Sequence, residues 1–304
     1  MEIDKLLAKP RTDSLLGWHK GIQLSLSGTN VGLVNWAAGG QNSIAVNGSI
    51  SLYANLTLSH TTWDNSLDVG YGLIKQGRNG WIKSDDRIDF SSKFGRKASK
   101  KWYYAALANF KTQMTDGYNY PNDSVKISTF FAPAYVLGAA GMDFKPNKHF
   151  SMFISPLTSK LTFVGDQTLA DKGSYGVEAA EYDVLGVKVR DGKRFRAEIG
   201  AYIRAQLKTK LASNISFKTK LELFSNYLHN PQNIDVYWEN GLEIKLWKII
   251  TINLASQLIY DDDINITVYN NDGTVKGMGP RTQFRHMTAL GLTWKIDKPP
   301  VSDD

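Results

Sequence analysis

The feature that most constrains this chain is a period of two, kept over runs longer than the ~5–6 residues of a common globular strand. Across 43–59, Ile44, Val46, Ile50, Leu52, Ala54, Leu56 and Leu58 share one parity with Gly48. Ser43, Asn47, Ser49, Ser51, Tyr53, Asn55 and Thr57 share the other. A helix would scatter both sets around its axis, whereas a pleated strand sends each set to its own face. Across 194–208, Phe195, Ala197, Ile199, Ala201, Ile203, Ala205 and Leu207 oppose Arg194, Arg196, Glu198, Tyr202, Arg204, Gln206 and Lys208. Across 234–246, Ile234, Val236, Trp238, Leu242, Ile244 and Leu246 oppose Asp235, Tyr237, Glu239, Glu243 and Lys245.

Roughly twelve such segments fit, each near the ~9–11 residues that cross a bilayer at a tilt. They are placed at 18–28, 42–58, 65–77, 86–96, 101–114, 128–145, 149–157, 193–208, 213–226, 234–246, 249–261 and 282–296. The sixth is apolar on both faces and contains Pro133. Short connections (96–101, 145–149, 208–213, 246–249) alternate with long ones (29–41, 115–127, 158–192, 262–281). Outer-membrane barrels have this asymmetry, with short periplasmic turns and long external loops. The pattern therefore predicts an all-β fold: a closed antiparallel up-and-down transmembrane β-barrel of about twelve strands. An even count puts both termini on the periplasmic side. The expected organisation is a periplasmic segment 1–17, the barrel 18–296 and a periplasmic tail 297–304.

Composition agrees once each strand is split into two faces. The chain is 42% hydrophobic with a mean hydropathy of −0.30, a low value that suits strands showing lipid only at alternate residues. No apolar run approaches the ~18 residues of a spanning helix. The apolar parity is nearly free of charge; Lys20 and His286 break it, both near expected strand ends. The polar parity carries both signs: Asp68, Arg87, Asp89, Lys93, Lys111, Arg196, Glu198, Arg204, Lys218, Lys220, Glu222, Glu239, Glu243, Lys245 and Arg285. These are the expected lumen charge network, able to pair across neighbouring strands. A soluble sandwich also alternates, with the greasy rows meeting in a core and the charges in bulk water.

Aromatic residues fall near segment ends, at Trp18, Trp63, Trp102, Tyr104, Trp238, Trp247, Tyr260 and Trp294, as interfacial girdles do. Any strand favours such residues as well. The segment Asn35-Trp36-Ala37-Ala38-Gly39-Gly40-Gln41-Asn42-Ser43 resembles a motif of an uncharacterised outer-membrane barrel family of Bacteroidota, catalogued as a domain of unknown function. The resemblance implies an outer-membrane barrel and brings no catalytic residues. The last expected outward row is Leu290, Leu292, Trp294 and Ile296, followed by a polar tail rather than a terminal aromatic. Residues 1–13 lack the apolar segment of a signal peptide. The expectation is the outer membrane of a Gram-negative bacterium, with the signal peptide removed.

Sites of chemistry are sparse. The net charge is +7, but the basic residues are interleaved with acids instead of clustered, which argues against a nucleic-acid footprint. There are no cysteines, hence no disulfide and no thiolate chemistry. Gly70-Tyr71-Gly72 precedes no helix and is no phosphate loop. His19, His60, His149, His229 and His286 show no metal-pair spacing. Asp85, Asp86, His229 and Asp261–Asp263 fall on the expected external rim, where a carboxylate and a histidine brought together would activate water. Solvated rim carboxylates are the plainer reading. Asp261-Asp262-Asp263 with Asn265 offers clustered oxygens to calcium without EF-hand spacing. The apolar loop residues Val31, Leu33, Val34 and Trp36 suit a plug or a partner surface. Tyr118, Tyr120 and Pro121 give 115–127 the composition of a recognition loop or lid.

The expected function is a narrow, selective channel for small polar solutes, with charge setting selectivity. The alternative is a non-conducting accessory barrel of an outer-membrane assembly or secretion complex. A rim hydrolase is the third reading; the expectation is no enzyme, no cofactor and no metal. The implied partners are outer-membrane lipid and lipopolysaccharide, other outer-membrane proteins for the accessory reading, and no nucleic acid.

Overall fold

The computed structural model describes residues 16–31, 42–77, 80–120, 123–147, 149–269 and 275–298. Twelve antiparallel strands close into a barrel. They are β1 (Gly17–Val31), β2 (Ser43–Thr57), β3 (Thr61–Gln76), β4 (Ile82–Lys97), β5 (Trp102–Thr112), β6 (Ala134–Phe144), β7 (Phe150–Phe163), β8 (Phe195–Ala212), β9 (Ile215–Asn226), β10 (Ile234–Lys245), β11 (Ile250–Tyr260) and β12 (Gln283–Lys298). Each pairs with the next in sequence, and β12 returns to β1 from Lys20↔Lys298 to Gly28↔Leu290. The closed up-and-down architecture and the strand count are those the alternation predicts.

The turns after β2, β4, β6, β8 and β10 gather at one end and the longer connections at the other. The short-turn end is tighter than expected at 208–213. β8 runs on to Ala212 and β9 begins at Ile215, with Lys208 opposite Lys218 inside the ladder. The other end carries a hairpin within 117–128, a short helix α1 (Gln167–Asp171), and two-stranded ribbons at 181–190 and 265–280.

Several strands are longer than expected: β1 runs on to Val31, which therefore belongs to a strand and not to the loop 29–41, β3 begins at Thr61 and β4 at Ile82. Two further departures have local causes. β7 runs to Phe163 instead of stopping at 157. Pro156 lacks an N–H and sits where the register shifts against both neighbours, as proline must in a central strand. The bulge is held by Thr158, whose hydroxyl donates to Ser155 Oγ at 2.9 Å, and by Tyr227, whose hydroxyl donates to the Pro156 carbonyl at 3.0 Å. Beyond it the ladder resumes, so Lys160 belongs to a strand and not to a loop. β6 is shorter than 128–145 and begins at Ala134. Ahead of it Thr129 and Ala132 exchange backbone hydrogen bonds in a tight turn, at 2.9 and 3.0 Å. The two-sided apolarity there has a separate destination: Ala132 packs with Val164, Leu169, Ala170 and Val177 in a cluster outside the barrel.

Burial is inverted relative to a soluble sandwich. On the outer face Leu26 is 50% exposed, Ile50 45% and Phe94 47%, while inside Asp143 is 1% exposed, Glu198 2% and Glu222 7%. The greasy rows do not meet in a shared core; the charged rows line an enclosed interior.

Candidate functional site

The fifteen charges expected in the lumen all lie on the inward parity, as the register shows: Asp68 opposes Asp89, Gly70 opposes Arg87, Lys111 opposes Asp89, and Arg204 opposes Glu222. They divide the interior unevenly. From β4 to β10 the wall is packed. Glu222 accepts from Arg204 Nε at 2.8 Å and Nη2 at 2.7 Å, from Lys111 at 3.1 Å, and from the Tyr202 hydroxyl. Lys111 stands on β5 and Glu222 on β9, so this contact crosses the barrel. Arg204 also reaches Ser91 on β4, at 3.4 Å. Lys220 pairs with Glu239 at 2.7 Å, and Glu239 accepts from Tyr237 at 2.8 Å. Phe153, Leu107, Ala105, Ala139 and Phe224 pack beside Tyr202. Burying charge is costly unless it is paired and hydrogen-bonded, and here each buried carboxylate has a cation within reach.

The same wall is cross-linked above and below. At the short-turn end Asp143 receives Lys93 at 2.7 Å and Lys145 at 3.1 Å, and Lys145 lies 3.5 Å from Asp64. At the long-loop end Lys160 meets Asp235 at 2.8 Å, Asp261 at 3.4 Å and Glu198 at 3.8 Å, while Arg196 joins Glu198 at 2.8 Å and Asp263.

The wall from β11 through β12 and β1 to β3 is different. Many of its inward residues are small: Ser25, Ser27, Ser49, Ser51, Gly70, Gly72, Asn253, Ala255, Ala289 and Gly291. The larger inward residues include Gln23, Gln257, Arg285, Met287 and Lys295, and Tyr53, which lies flat: a Cβ on Gly21 would sit 2.4 Å from the Tyr53 ring. Its hydroxyl donates to Asp297, which also meets His19 at 2.9 Å. A longer contact spans this wall near the long-loop end, from Arg285 on β12 to Asp85 on β4 at 3.0 Å. Facing it from the packed side, Arg87 and Lys218 point inward and are nevertheless exposed. Arg87 lies against Gly70, whose Cβ would sit 3.1 Å from Nε, and Lys218 lies along Gly241, whose Cβ would sit 2.7 Å from Cε. Glycine at these positions lets both basic stems hug the wall.

A cap of loop residues adjoins the packed half at the long-loop end, where Arg196 Nη1 donates to the Gly176 carbonyl at 3.4 Å. Asp171 accepts from Lys188 at 2.8 Å, Gln167 at 2.7 Å and the Gly192 N–H at 2.8 Å. These donors, Lys188 foremost, hold its carboxyl down at about 2. The Tyr175 hydroxyl donates to the Ile127 carbonyl at 2.5 Å, and burial pushes it up to about 12.

The remaining expected residues disperse. Asp85 is bound by Arg285. Asp86 points to the outer side and accepts from the Met114 and Thr115 N–H groups, at 2.8 and 2.9 Å, and from Lys83 at 2.9 Å. Asp261 and Asp263 are taken by Lys160 and Arg196, and Asp262 accepts from Asn233 at 2.6 Å. His229 lies 3.2 Å from its neighbour Asn230. The rim acids and His229 are therefore not brought together as a dyad, and the three aspartates point to three different partners instead of one cation. All eight expected girdle aromatics are outside the lumen; Trp18, Trp63, Trp102, Tyr104, Trp247 and Trp294 sit towards the short-turn end and Tyr260 at the other. Lys20 lies on the outer face with Nζ 5.5 Å from the Trp18 ring centre, and His286 stacks on Phe284 at 6.0 Å. Leu33, Val34 and Trp36, with most of the motif 35–43, lie outside the described residues, as does the Val31 side chain. Asp64, Asp143, Lys145, Lys160 and Lys295 join the network without having been expected. Their signal was parity alone, weakened where a segment was cut short at Pro156 or was apolar on both faces.

Residues 29–118 match a family described as protein of unknown function, DUF3078. No curated protein matches the chain. Similar solved structures include the translocator domain of the autotransporter NalP from Neisseria meningitidis, at 10% identity over 93% of this chain and 89% of that one, TM-score 0.39. An outer membrane channel from Pseudomonas putida F1 is also 10% identical, over 93% and 96%, TM-score 0.40. The NanC porin is 10% identical over 90% and 100%, TM-score 0.40.

Proposed function

We propose that the chain is an outer-membrane barrel with a narrow passage for small polar solutes along the β11–β12–β1–β2–β3 wall. The observation that carries this reading is the exposure of Arg87 and Lys218, two side chains that point into the barrel and still meet solvent. The exposed apolar outer face supports the membrane placement, since a charge at mid-membrane would cost about 2–4 kcal/mol. On this reading the short turns and both termini are periplasmic, the long loops are external, and lipid and lipopolysaccharide surround the wall. The motif at 35–43, inside the matched stretch 29–118, supports a Bacteroidota origin. No catalysis and no cofactor is assigned: each rim acid already has a structural partner.

The test is single-channel recording in planar bilayers with barrel whose folding is verified by its heat-dependent gel mobility. Small, steady, ohmic openings are expected. Silence from folded barrel would overturn the channel. It would favour the accessory reading, for which the Lys111–Glu222 bridge across the interior is the supporting observation.

A further inference from the structure

Most paired charges inside the barrel cancel; the exception is the long-loop end of the packed half, where Lys160 and Arg196 face Glu198, Asp235, Asp261 and Asp263, a surplus of carboxylate. Along the passage itself a solute meets the unpaired groups. Arg87, Lys208, Lys218 and Lys245 have no carboxylate at ion-pair distance among the described residues. The carboxylates that act on Arg87 through space are Asp85, Glu239 and Asp68; the first two are already bonded to Arg285 and Lys220. Asp68 is the inward carboxylate left without a cation, and it accepts from Ser51 at 2.5 Å. The remainder is cationic.

Its arrangement matters as much as its sign. Lys208 and Lys218 are direct cross-strand partners, a pairing of like charges that destabilises a sheet unless solvent or a counter-ion intervenes. They lie in the half of the barrel nearer the short turns, and Arg87 lies in the half nearer the long loops. Gly70 and Gly241 keep two of these stems flat, so the heads face the passage without filling it. A guanidinium and ammoniums set along a water-filled path are the donors that carboxylate and phosphate oxygens take.

We infer that the solutes of this passage are small oxyanions, bearing carboxylate or phosphate, which step from Arg87 to the Lys208–Lys218 pair. This rests on the channel reading and gives it a substrate class. The test is the reversal potential under a KCl gradient, with wild type against the double variant Arg87→Gln, Lys218→Gln. Wild type is expected to favour chloride over potassium severalfold. The double variant is expected to lose most of that preference, because only Lys208 and Lys245 are then left against Asp68. A cation preference in wild type, or an unchanged anion preference in the variant, overturns the inference and leaves the channel standing. If folded barrel is silent, the channel fails, and calorimetric titration of detergent-solubilised barrel with inorganic pyrophosphate decides the inference separately. Binding that the double variant loses upholds an anion site in the lumen; no binding by wild type overturns it.

Discussion

The two sides of the lumen solve one problem in opposite ways. Between β4 and β10 the chain spends long side chains, and the interior is filled by Arg204, Glu222, Tyr202, Lys111 and Lys220 locked to one another. Between β11 and β3 it spends mainly serine, glycine and alanine, which on the channel reading leave the interior open to water. Both walls are polar to a pattern search, and both alternate with the same period. What separates them is side-chain reach, not hydropathy. A barrel of this strand number is wider than eight strands can fill, and here long paired side chains close part of the extra width.

The contrast predicts unequal costs. Glu222→Ala leaves Arg204, Lys111 and Lys220 facing one another without their shared carboxylate. Stability should fall by about 3–5 kcal/mol, read from urea unfolding in lipid vesicles. On the other wall Ser49→Ala should stay within about 0.5 kcal/mol of wild type. Equal losses would mean that the walls do not differ as described. Ser49→Trp should cut conductance severely and leave the unfolding midpoint nearly unchanged; the reverse outcome would place the passage elsewhere. Asp85→Asn releases the Arg285 strap across the open side, and single-channel conductance should rise moderately. A fall would show that Asp85 coordinates the solute path instead of obstructing it.

The smallest effect concerns the cap beside the packed half. The Asp171 carboxyl is held at about 2, below the ordinary 3.8. A lowered value means that its contribution is complete above the ordinary value and is lost as pH falls through about 2. Exchange of the Gly192 amide, corrected for intrinsic rate, should therefore be slow at pH 5 and accelerate towards pH 2. An amide equally protected at both would detach the cap from Asp171.

Legibility followed the reach of each physical signal. Strand number and closure were readable because a two-residue period acts within one strand and repeats twelve times. Facing was readable for Arg204 and Glu239 for the same reason. The end of β7 was not, because Pro156 looks like a terminator, and only register against both neighbours shows that the ladder resumes. Lys111 meeting Glu222, and Arg285 meeting Asp85, were beyond sequence altogether. Such contacts depend on the slip between strands accumulated around the whole circumference, and no local pattern encodes that sum. Asp86 and His229 were near each other only in a projection onto the rim. The hydrogen bonds from Met114 and Thr115 that occupy Asp86 come from a loop whose path the alternation does not describe.

The Tyr53–Asp297 contact has a consequence for how the cylinder comes to exist. Tyr53 is on β2 and Asp297 on β12, and the phenol reaches over Gly21 of β1 to join them. Until the final strand docks, β1 and β12 are bare edges, the state in which a growing sheet recruits the wrong neighbour. The phenol and His19 both bond Asp297 across the seam, so these contacts form only once β12 has met β1. Shutting the seam and shielding its raw edges are then one event, completed when Asp297 arrives.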